Sequence, residues 1–518
     1  MRRSISVFLV GAALAILPAC GDKTDEGARA AGITPGDTLA FLSVNLEPSV
    51  EQKRNLLSIF RRFPGVKDEV QGDFDDARDK LLDEITEEGG LDYAKDVKPW
   101  LGKEIAVAFL GFDDTNGDNE PQVAVLVETT DKAKATAALE KTTSAGEFEG
   151  QFRVIENFVV FTDQSGETGE TATLDAFAVQ ATKGSGGLAD SKGFTTVVDK
   201  LADDRLMLAW ADTKALFDKL GEQFGDGFDD FGFPGLGFIG DESKAGPVAV
   251  DLHAEQSAIV IDGYAVATGE TNSQKAELTR SLPVDTLGAL TVFDLKGVAV
   301  EAFEFFGGAG GTGGDDPLSA FEEASGVNIR EDVLSWMEGE IVITAGAIPT
   351  GREFPDFALV IEPTDRDKAE AGVTKIAEAL AGEGFPLDER QIAGTTAYVV
   401  PEPFLDGIQP AMALFDDRFV LANSPAYLET LAKAASPDFA STDSYDAVLG
   451  KGSSSDTSFQ LVVRIDPIRE AIERRIPASE QADYDAEVKA NIEPLDAFGI
   501  SSRRDGDVHR LSMRLTFD

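Results

Sequence analysis

Two stretches of this chain share one order of residues, and this duplication limits the folds that the chain can adopt. Residues 90–107, which contain Trp100 and Glu104, match residues 326–343, which contain Trp336 and Glu340, at a shift of 236 positions. Solenoid repeats are far shorter, at roughly 20–45 residues. The sequence therefore predicts two tandem homologous domains, which we place at residues 33–270 and 280–518.

Shorter matches extend the duplication on both sides of these stretches. They keep the same order along the chain, at shifts of 248, 234 and 261 positions. They pair Pro35–Leu39 with Pro283–Leu287, Pro121–Val127 with Pro355–Ile361, and Phe158–Val160 with Phe419–Leu421.

The pattern within each copy is typical of strands joined by short turns. Apolar, β-branched runs at Glu104–Gly111 and Gln122–Glu128 predict a strand pair, and residues 340–345 and 357–362 predict its counterpart. Each copy is expected to close on a hairpin, the second with Asp505-Gly506 as its turn. Because most strand connections are short and helices come in blocks, we expect an α+β fold with a mainly antiparallel sheet and helices packed on it.

Two further details of the copies follow from the same patterns. Helices are predicted after each central strand pair, with Thr130 and Thr364 as their N-caps. A strand pair is predicted between Thr396–Val400 and Phe419–Asn423.

The N-terminus resembles the export signal of a bacterial lipoprotein. Arg2 and Arg3 precede an apolar run at residues 7–17, and Leu17-Pro18-Ala19-Cys20 follows. We predict a cleaved signal peptide at residues 1–19, lipidation of Cys20 and a flexible tether at residues 20–32. The apolar run is shorter than the about 20 residues of a transmembrane helix, so the acyl chains would anchor the protein to the extracytoplasmic face of the cell membrane.

The charge of the chain excludes several classes of partner. The formal net charge is −47, from 93 acidic and 46 basic residues, and the acids are spread along the whole chain. Such a surface repels nucleic acid and anionic lipid head groups. The single cysteine allows no disulfide within the chain, so we expect its stability to come from apolar cores.

No motif in the sequence predicts catalysis or a cofactor. The two histidines, His253 and His509, lie in predicted terminal hairpins without a triad or zinc-site context. The G-x-S-x-G, P-loop and H-E-x-x-H motifs do not occur. We therefore expect a protein that is not an enzyme and has no cofactor. A hydrolase that uses carboxylates remains the catalytic alternative.

An acidic loop in the first copy is a weak candidate for calcium. Asp114, Asn116, Asp118 and Glu120 place oxygen ligands at alternate positions. Gly117 breaks the spacing of an EF-hand loop, and the matching loop of the second copy has one acid only. The alternative is a hairpin loop built on Asn116-Gly117.

Aromatic residues supply two more candidates. Trp100 and Trp336 stand before equivalent strands, either as ligand platforms or as buried anchors. A Phe/Gly segment, residues 224–240, is either a hydrophobic contact surface or a cover that folds back onto a sheet. Its candidate contact residues are Phe228, Phe231, Phe233, Leu236 and Phe238.

Several of these stretches resemble a known family of exported or membrane-anchored bacterial proteins. Asp37–Val44, Gln52–Leu57, Asp96–Gly102 and Leu201–Leu206 are similar to domain-of-unknown-function family 3352. The resemblance covers most of the chain after the signal. It implies an exported protein and carries no catalytic residues.

Together these features predict a lipid-anchored binding or interaction protein of the cell surface. The bound partner would be a hydrophobic ligand or a component of the cell envelope. The alternative without a small ligand is a scaffold that binds another envelope protein.

Overall fold

The computed structural model describes most of the chain after residue 28. The described residues are 29–67, 72–88, 91–113, 120–144, 150–162, 169–224, 246–266, 273–293, 326–349, 352, 354–382, 384–403, 407–433, 436–450 and 456–518. Their strands form one continuous antiparallel sheet that carries helices on both faces. The mixed α+β fold that the sequence predicts is confirmed.

The first copy supplies the first eight strands of this sheet. Their order across the sheet is β4-β5-β3-β2-β1-β6-β7-β8. The strands are β1 (Ala40–Asn45), β2 (Leu101–Asp113), β3 (Glu120–Thr129), β4 (Gln151–Ile155), β5 (Phe158–Thr162), β6 (Met207–Asp212), β7 (Pro247–Glu255) and β8 (Ala258–Val266).

The second copy continues the sheet in the order β18-β17-β16-β9-β10-β11-β15-β14-β13-β12. Its strands are β9 (Gly288–Phe293), β10 (Glu340–Ala345), β11 (Phe357–Ile361), β12 (Asp388–Ile392), β13 (Thr395–Val399), β14 (Ala411–Leu414), β15 (Phe419–Ala422), β16 (Phe459–Arg464), β17 (Leu495–Asp505) and β18 (Val508–Phe517).

Helices precede, connect and follow these strands. In the first copy they are α1 (Arg29–Ile33), α2 (Val50–Phe60), α3 (Pro64–Lys67), α4 (Phe74–Glu88), α5 (Lys132–Ser144), α6 (Gly169–Lys183), α7 (Lys192–Val198) and α8 (Thr213–Phe224). In the second they are α9 (Glu277–Arg280), α10 (Arg366–Gly382), α11 (Pro425–Ala432), α12 (Asp443–Leu449), α13 (Ile465–Glu473), α14 (Gln481–Tyr484) and α15 (Ala490–Ile492). Short π-helical turns at Tyr93–Val97 and Ile329–Val333 precede β2 and β10, and single 3₁₀ turns occur at Leu188–Asp190, Leu334–Trp336 and Phe439–Ser441.

The two faces of the sheet are covered differently, because successive side chains of a strand point to opposite faces. We call face A the side on which α1, α6 and α7 pack on the first copy and α11 and α12 on the second. Small residues such as Ala106 and Ala108 lie there and are fully buried, so these helices approach the sheet closely. Face B carries α2, α4 and α5 on the first copy and α10 on the second.

The two copies meet where their last strands pair. Val266 of β8 pairs with Val508 of β18, and Ala258 pairs with Thr516, so equivalent strands lie side by side in opposite directions. The face B core also crosses this seam, since Phe517 packs in one cluster with Leu56 and Phe74 of the first copy. The copies therefore share a sheet and a core.

Strand pairing corrects one detail of the duplication. Val127 of β3 and Ile361 of β11 are equivalent, and their partners in the next strand are Val159 and Phe419. Val159 rather than Phe158 is thus the counterpart of Phe419. A shift of one residue moves a side chain to the other face, and Phe158 indeed lies in the face A core, whereas Phe419 lies in the face B core.

Three other local predictions are wrong. The helices α5 and α10 are capped by Asp131 and Asp365, whose carboxylates accept the backbone N–H of Lys134 and Lys368 at 3.1 Å. The C-terminal hairpin turns at Gly506-Asp507, one residue later than expected, because Asp505 pairs with Val508 and Gly506 takes a φ of +63°.

The third concerns the outer strands of the second copy. Residues 395–399 form β13, which pairs with β12 and β14 rather than with β15. The four-residue β14 and the exposed, charged β12 (DERQI) lack the apolar alternation by which strands are recognised.

Residues at the N-terminus bear on the predicted tether. Arg29–Ile33 form α1, and Ala30 and Ala31 are fully buried in the face A core, so the last residues of the stretch at 20–32 are folded. The signal peptide and Cys20 lie outside the described residues. Within the described residues, no helix has the length and apolar character needed to span a membrane.

Candidate functional site

The two tryptophans singled out in the sequence are buried anchors. Trp100 and Trp336 are 3% and 0% exposed, which excludes them as ligand platforms. Each indole N–H donates to a backbone oxygen four residues earlier, that of Asp96 at 2.5 Å and that of Asp332 at 2.8 Å. Gly372 of α10 presses on this turn in the second copy, since a Cβ there would lie 2.2 Å from the Asp332 oxygen.

A fully buried carboxylate lies at the start of β2. Glu104 accepts a hydrogen bond from the Ser43 hydroxyl at 2.7 Å and from the backbone N–H of Ala30 at 3.1 Å. Burial raises the pKa of Glu104 to about 7, against the effect of these two donors and of the Arg29 guanidinium at 3.9 Å. The carboxylate thus attaches the first turn of α1 to the sheet.

The second copy repeats this arrangement with Glu340. Its two oxygens accept the backbone N–H groups of Leu278 at 2.7 Å and Thr279 at 2.9 Å, at the start of α9. The Thr279 hydroxyl adds a third bond at 2.8 Å. Burial raises the pKa of Glu340 as well. Each carboxylate is buried beneath the helix whose backbone N–H groups it binds, α1 for Glu104 and α9 for Glu340. We therefore assign both a structural role.

Charged side chains also gather on face A at the seam. His253 Nδ1 lies 2.7 Å from Oδ1 of the fully buried Asp251. Burial disfavours the charged form of His253. The hydrogen bond to Asp251 and the negative charge of Asp251 outweigh this effect and raise the pKa of His253. Arg510 of the second copy reaches Asp262 of the first at 2.9 Å. The His253–Asp251 contact lies within β7, whereas the Arg510–Asp262 ion pair crosses from β18 to β8 and joins the two copies.

The most unusual surface of the described chain is an apolar row on face B of the second copy. One large aliphatic side chain from each of seven adjacent strands lies in line, each paired with the next. None of the seven is buried, and Ile343 and Leu421 are 54% and 40% exposed. We call this set the open apolar row: Leu421, Leu359, Ile343, Leu290, Leu461, Ile500 and Met513.

The row lies just beyond the edge of α10. On three of the strands, the residue two positions from the row member packs under α10 and is at most 4% exposed. These residues are Ile341, Ile361 and Phe419. On face A the intervening residues, such as Val342 and Val360, are also buried. Among the described residues, the sheet therefore has a buried core on face A and, along this row on face B, apolar side chains that are only partly covered.

Small residues lie beside the row on the side away from α10. Ala345 of β10 pairs with Gly288 of β9, and Phe357, 42% exposed, continues this second line at β11. Monomeric proteins seldom leave a large continuous apolar surface uncovered without a function. The open apolar row is therefore our candidate binding site.

A second concave surface lies on the first copy, beside α6. It is a groove of about 670 Å³, bordered by α6 and by the loops at residues 35–37 and 186–191. Its lining combines Val179 with Asp37, Asp190 and Lys183. This mixture of apolar and charged groups suits a protein segment better than a hydrocarbon.

Three carboxylates form the one group in the described residues that could approach a cation. Oxygens of Asp466, Asp496 and Asp518 lie within 4.8 Å of one another. They already have partners, since Arg469 bonds to Asp466, and the hydroxyls of Ser444 and Thr516 bond to Asp496 at 3.0 and 2.8 Å. We therefore assign no metal to this group.

Most of the predicted site residues cannot be compared with the structure. Phe228, Phe231, Phe233, Leu236 and Phe238 lie outside the described residues, as do Asp114, Asn116 and Asp118. Glu120 is the first residue of β3, and its backbone pairs with Asp113 at the end of β2. Because residues 114–119 lie outside the described residues, the calcium site and the hairpin loop on Asn116-Gly117 both stay predictions.

Sequence patterns predicted neither the open apolar row nor the buried carboxylates. The row is hidden in sequence because its seven residues come from distant strands and look like ordinary core positions. The carboxylates carried a usable signal, since Glu104 and Glu340 hold matching places in the two copies at the start of apolar strands. An acid that is retained in an apolar strand of both copies indicates a specific bond.

This geometry defines a class: two α+β copies on one antiparallel sheet, with a partly exposed apolar row among the described residues of the second. The family model described as "Protein of unknown function (DUF3352)" matches residues 4–215 and 250–517, and the chain belongs to this family. No curated protein matches it. The solved "Structure of crystal form I of TP0453" is similar at 10% identity over 47% of this chain and 80% of that chain, with a TM-score of 0.20, too low to support any conclusion.

Proposed function

We propose that this protein is a lipid-anchored binding protein of the extracytoplasmic membrane face, and that it holds an apolar ligand or envelope component without catalysis. The observation that carries the proposal is the open apolar row, in which Ile343 and Leu421 are exposed and the other five side chains are partly exposed. Full burial of one such side chain is worth about 1.5–3 kcal/mol, so a partner that covers several of them gains substantial affinity.

The charge of the protein limits what this partner can be. A net charge of −47 opposes the approach of anionic head groups and of a second copy of the chain. A neutral apolar molecule, or an envelope protein with an apolar surface, meets neither obstacle. The anchor at Cys20 would place the row close to a membrane, where such molecules are abundant.

The row can be tested by identifying what purifies with the protein from cells. We expect apolar molecules, detected by mass spectrometry, to accompany the wild type and to be lost from the double variant Ile343→Asp/Leu421→Asp. The matched control is Val50→Asp, because Val50 is 71% exposed on α2, far along the chain from the row. An identical set of molecules on the wild type and the double variant would rule out the row as the binding site.

The anchor can be tested separately. Cys20→Ala removes the thiol that lipidation requires, so we expect the protein to appear in the soluble fraction or to remain unprocessed. Fractionation of cells followed by mass measurement of the N-terminus distinguishes the two. Normal processing with full retention at the membrane would contradict the lipoprotein proposal.

The groove beside α6 favours a second candidate, a scaffold that binds another envelope protein. Its lining offers Val179, 52% exposed, together with Asp37 and Asp190 for polar contacts. A photo-crosslinking residue at position 179 should then capture one dominant protein in intact cells, whereas the same residue at position 50 should not. Equal products from both positions would remove this candidate.

A further inference from the structure

We infer that the open apolar row binds a neutral, linear hydrocarbon chain, which lies across the strands of the second copy. This inference rests on the proposed function and names the chemistry of the ligand. It follows from the length, the composition and the borders of the row.

The length of the row fits an extended chain. Neighbouring strands are about 4.8 Å apart, so the six steps from Leu421 to Met513 span roughly 29 Å. The half-buried Ile261 of β8, which pairs with Met513, continues the line into the first copy. The hydrocarbon core of a bilayer is about 30 Å thick for two leaflets, so one lipid chain is roughly half that length. A single chain of this kind fits along the row with room to spare.

The composition of the row favours a hydrocarbon. All seven side chains are aliphatic or thioether groups, so no donor or acceptor in the row could satisfy a polar ligand group. A charged group placed there would lose its water without gaining a partner, which is costly. The net charge of −47 further disfavours an anionic end group.

The borders of the row favour a linear shape. The covered side chains under α10 border it along one side in β10, β11 and β15. On the other side, Ala345 and Gly288 are small and pair with each other, which leaves room beside Ile343 and Leu290. A flexible chain can follow this line, whereas a rigid ring system would contact only part of it.

The experiment uses the chain from residue 20 onward, which contains every described element, and two neutral probes. Nile red, a compact dye, reports on any apolar site, and tetradecanol, a linear alcohol, competes with it. We expect Nile red to bind and tetradecanol to displace it. Ile343→Asp/Leu421→Asp should weaken both effects at least tenfold, while Val50→Asp changes neither. Circular dichroism establishes that each variant is folded.

The outcomes separate this inference from the proposed function. Row-dependent binding of Nile red that tetradecanol does not displace would overturn the linear-chain inference and leave the proposed function standing. Nile red binding that is the same in the double variant would contradict both. Myristate, the anionic chain of equal length, should displace the dye at least tenfold less well, and equal displacement would overturn the requirement for a neutral ligand.

Discussion

The two copies share one framework but differ in how face B is covered. In the first copy, α2 and α4 pack on the sheet over Leu206 and Leu252. Ser458 and Ser502 hold the equivalent places in the second copy. The backbone N–H of Leu206 donates to the Leu252 oxygen at 2.8 Å, and the backbone N–H of Ser458 donates to the Ser502 oxygen at the same distance. The difference teaches that a duplicated framework can keep its hydrogen bonds while apolar core residues of one copy are replaced by serines in the other.

The same contrast applies to the candidate site. The first copy's equivalents of the row include Leu42, Val107, Val125 and Ala209, which are also only half-buried but mostly smaller. The second copy has larger Leu, Ile and Met side chains there. The copies differ most clearly at Leu421, which is 40% exposed, whereas its counterpart Phe161 packs with Val125 on the core under α5. The predictions below test where the copies are alike and where they differ.

The largest expected effect concerns a feature that the copies share. Trp336→Ala and Trp100→Ala should each lower the free energy of unfolding by about 3–5 kcal/mol, because both indoles are buried and a cavity would remain. Urea denaturation followed by circular dichroism measures the loss. Phe385→Ala, at a position 66% exposed, is the control and should cost little. A loss in one copy alone would mean that the two turns are not equivalent.

The next effect tests the difference in cover. Leu206→Ala removes a side chain that is 1% exposed and should cost about 2–5 kcal/mol. Ser458→Ala, at the equivalent place, removes one hydroxyl bond to Ser502 and should cost about 0.5–1.5 kcal/mol. The same denaturation measurement applies. Similar costs at the two positions would contradict the asymmetry of the cores.

A third effect depends on pH. The pKa of Glu104 is raised by burial to about 7, so the group contributes stability below its unfolded pKa of about 4.3, and this contribution is lost as the pH rises through 7. Glu104→Gln removes the titration. Relative to this variant, the wild type should lose about 3 kcal/mol of stability between pH 4 and pH 8. Denaturation at several pH values measures the difference, and a constant difference would show that Glu104 titrates normally.

The smallest effect separates the two buried carboxylates. At Glu104 one donor is the Ser43 hydroxyl, which can rotate to accept a bond from a glutamine NH₂ group. At Glu340 both carboxylate oxygens accept hydrogen bonds from backbone N–H groups. In Glu340→Gln, the side-chain NH₂ group would replace one of these oxygens and point its hydrogens at a backbone N–H, which is itself a donor. We expect Glu340→Gln to cost about 1–3 kcal/mol at pH 8 and Glu104→Gln to cost nothing there. A thermal melt of each variant gives the order, and the reverse order would contradict the assigned bonds.

Sequence reasoning succeeded where the signal is a long pattern. The duplication, the antiparallel strand pairs and the buried tryptophans all follow from residue order and alternation, and the structure contains them. It failed at short local features, where neighbouring residues offer equivalent signals or a strand has too few residues. Asp131 rather than Thr130 caps α5, and β14 is too short to show a period.

The candidate site was harder to predict for a related physical reason. Exposure of Ile343 depends on where α10 ends, not on the sequence around Ile343 itself. The register of β5 against β3 likewise decides which of Phe158 and Val159 faces α5, and pattern matching chose the wrong one. Burial is a property of packed elements, so an apolar residue in a strand does not reveal whether a helix covers it.

The pairing of β8 with β18 has a consequence for the origin of the molecule. Equivalent strands that pair in opposite directions, with Asp262 opposite Ser512 at the centre of the register, are related by an approximate two-fold axis. Two separate chains would meet in the same way in an isologous homodimer. The present chain is therefore arranged as such a dimer would be after gene fusion, and fusion frees each half to diverge. Equivalent positions can then differ, as they do at Phe161, which packs under α5, and its exposed counterpart Leu421.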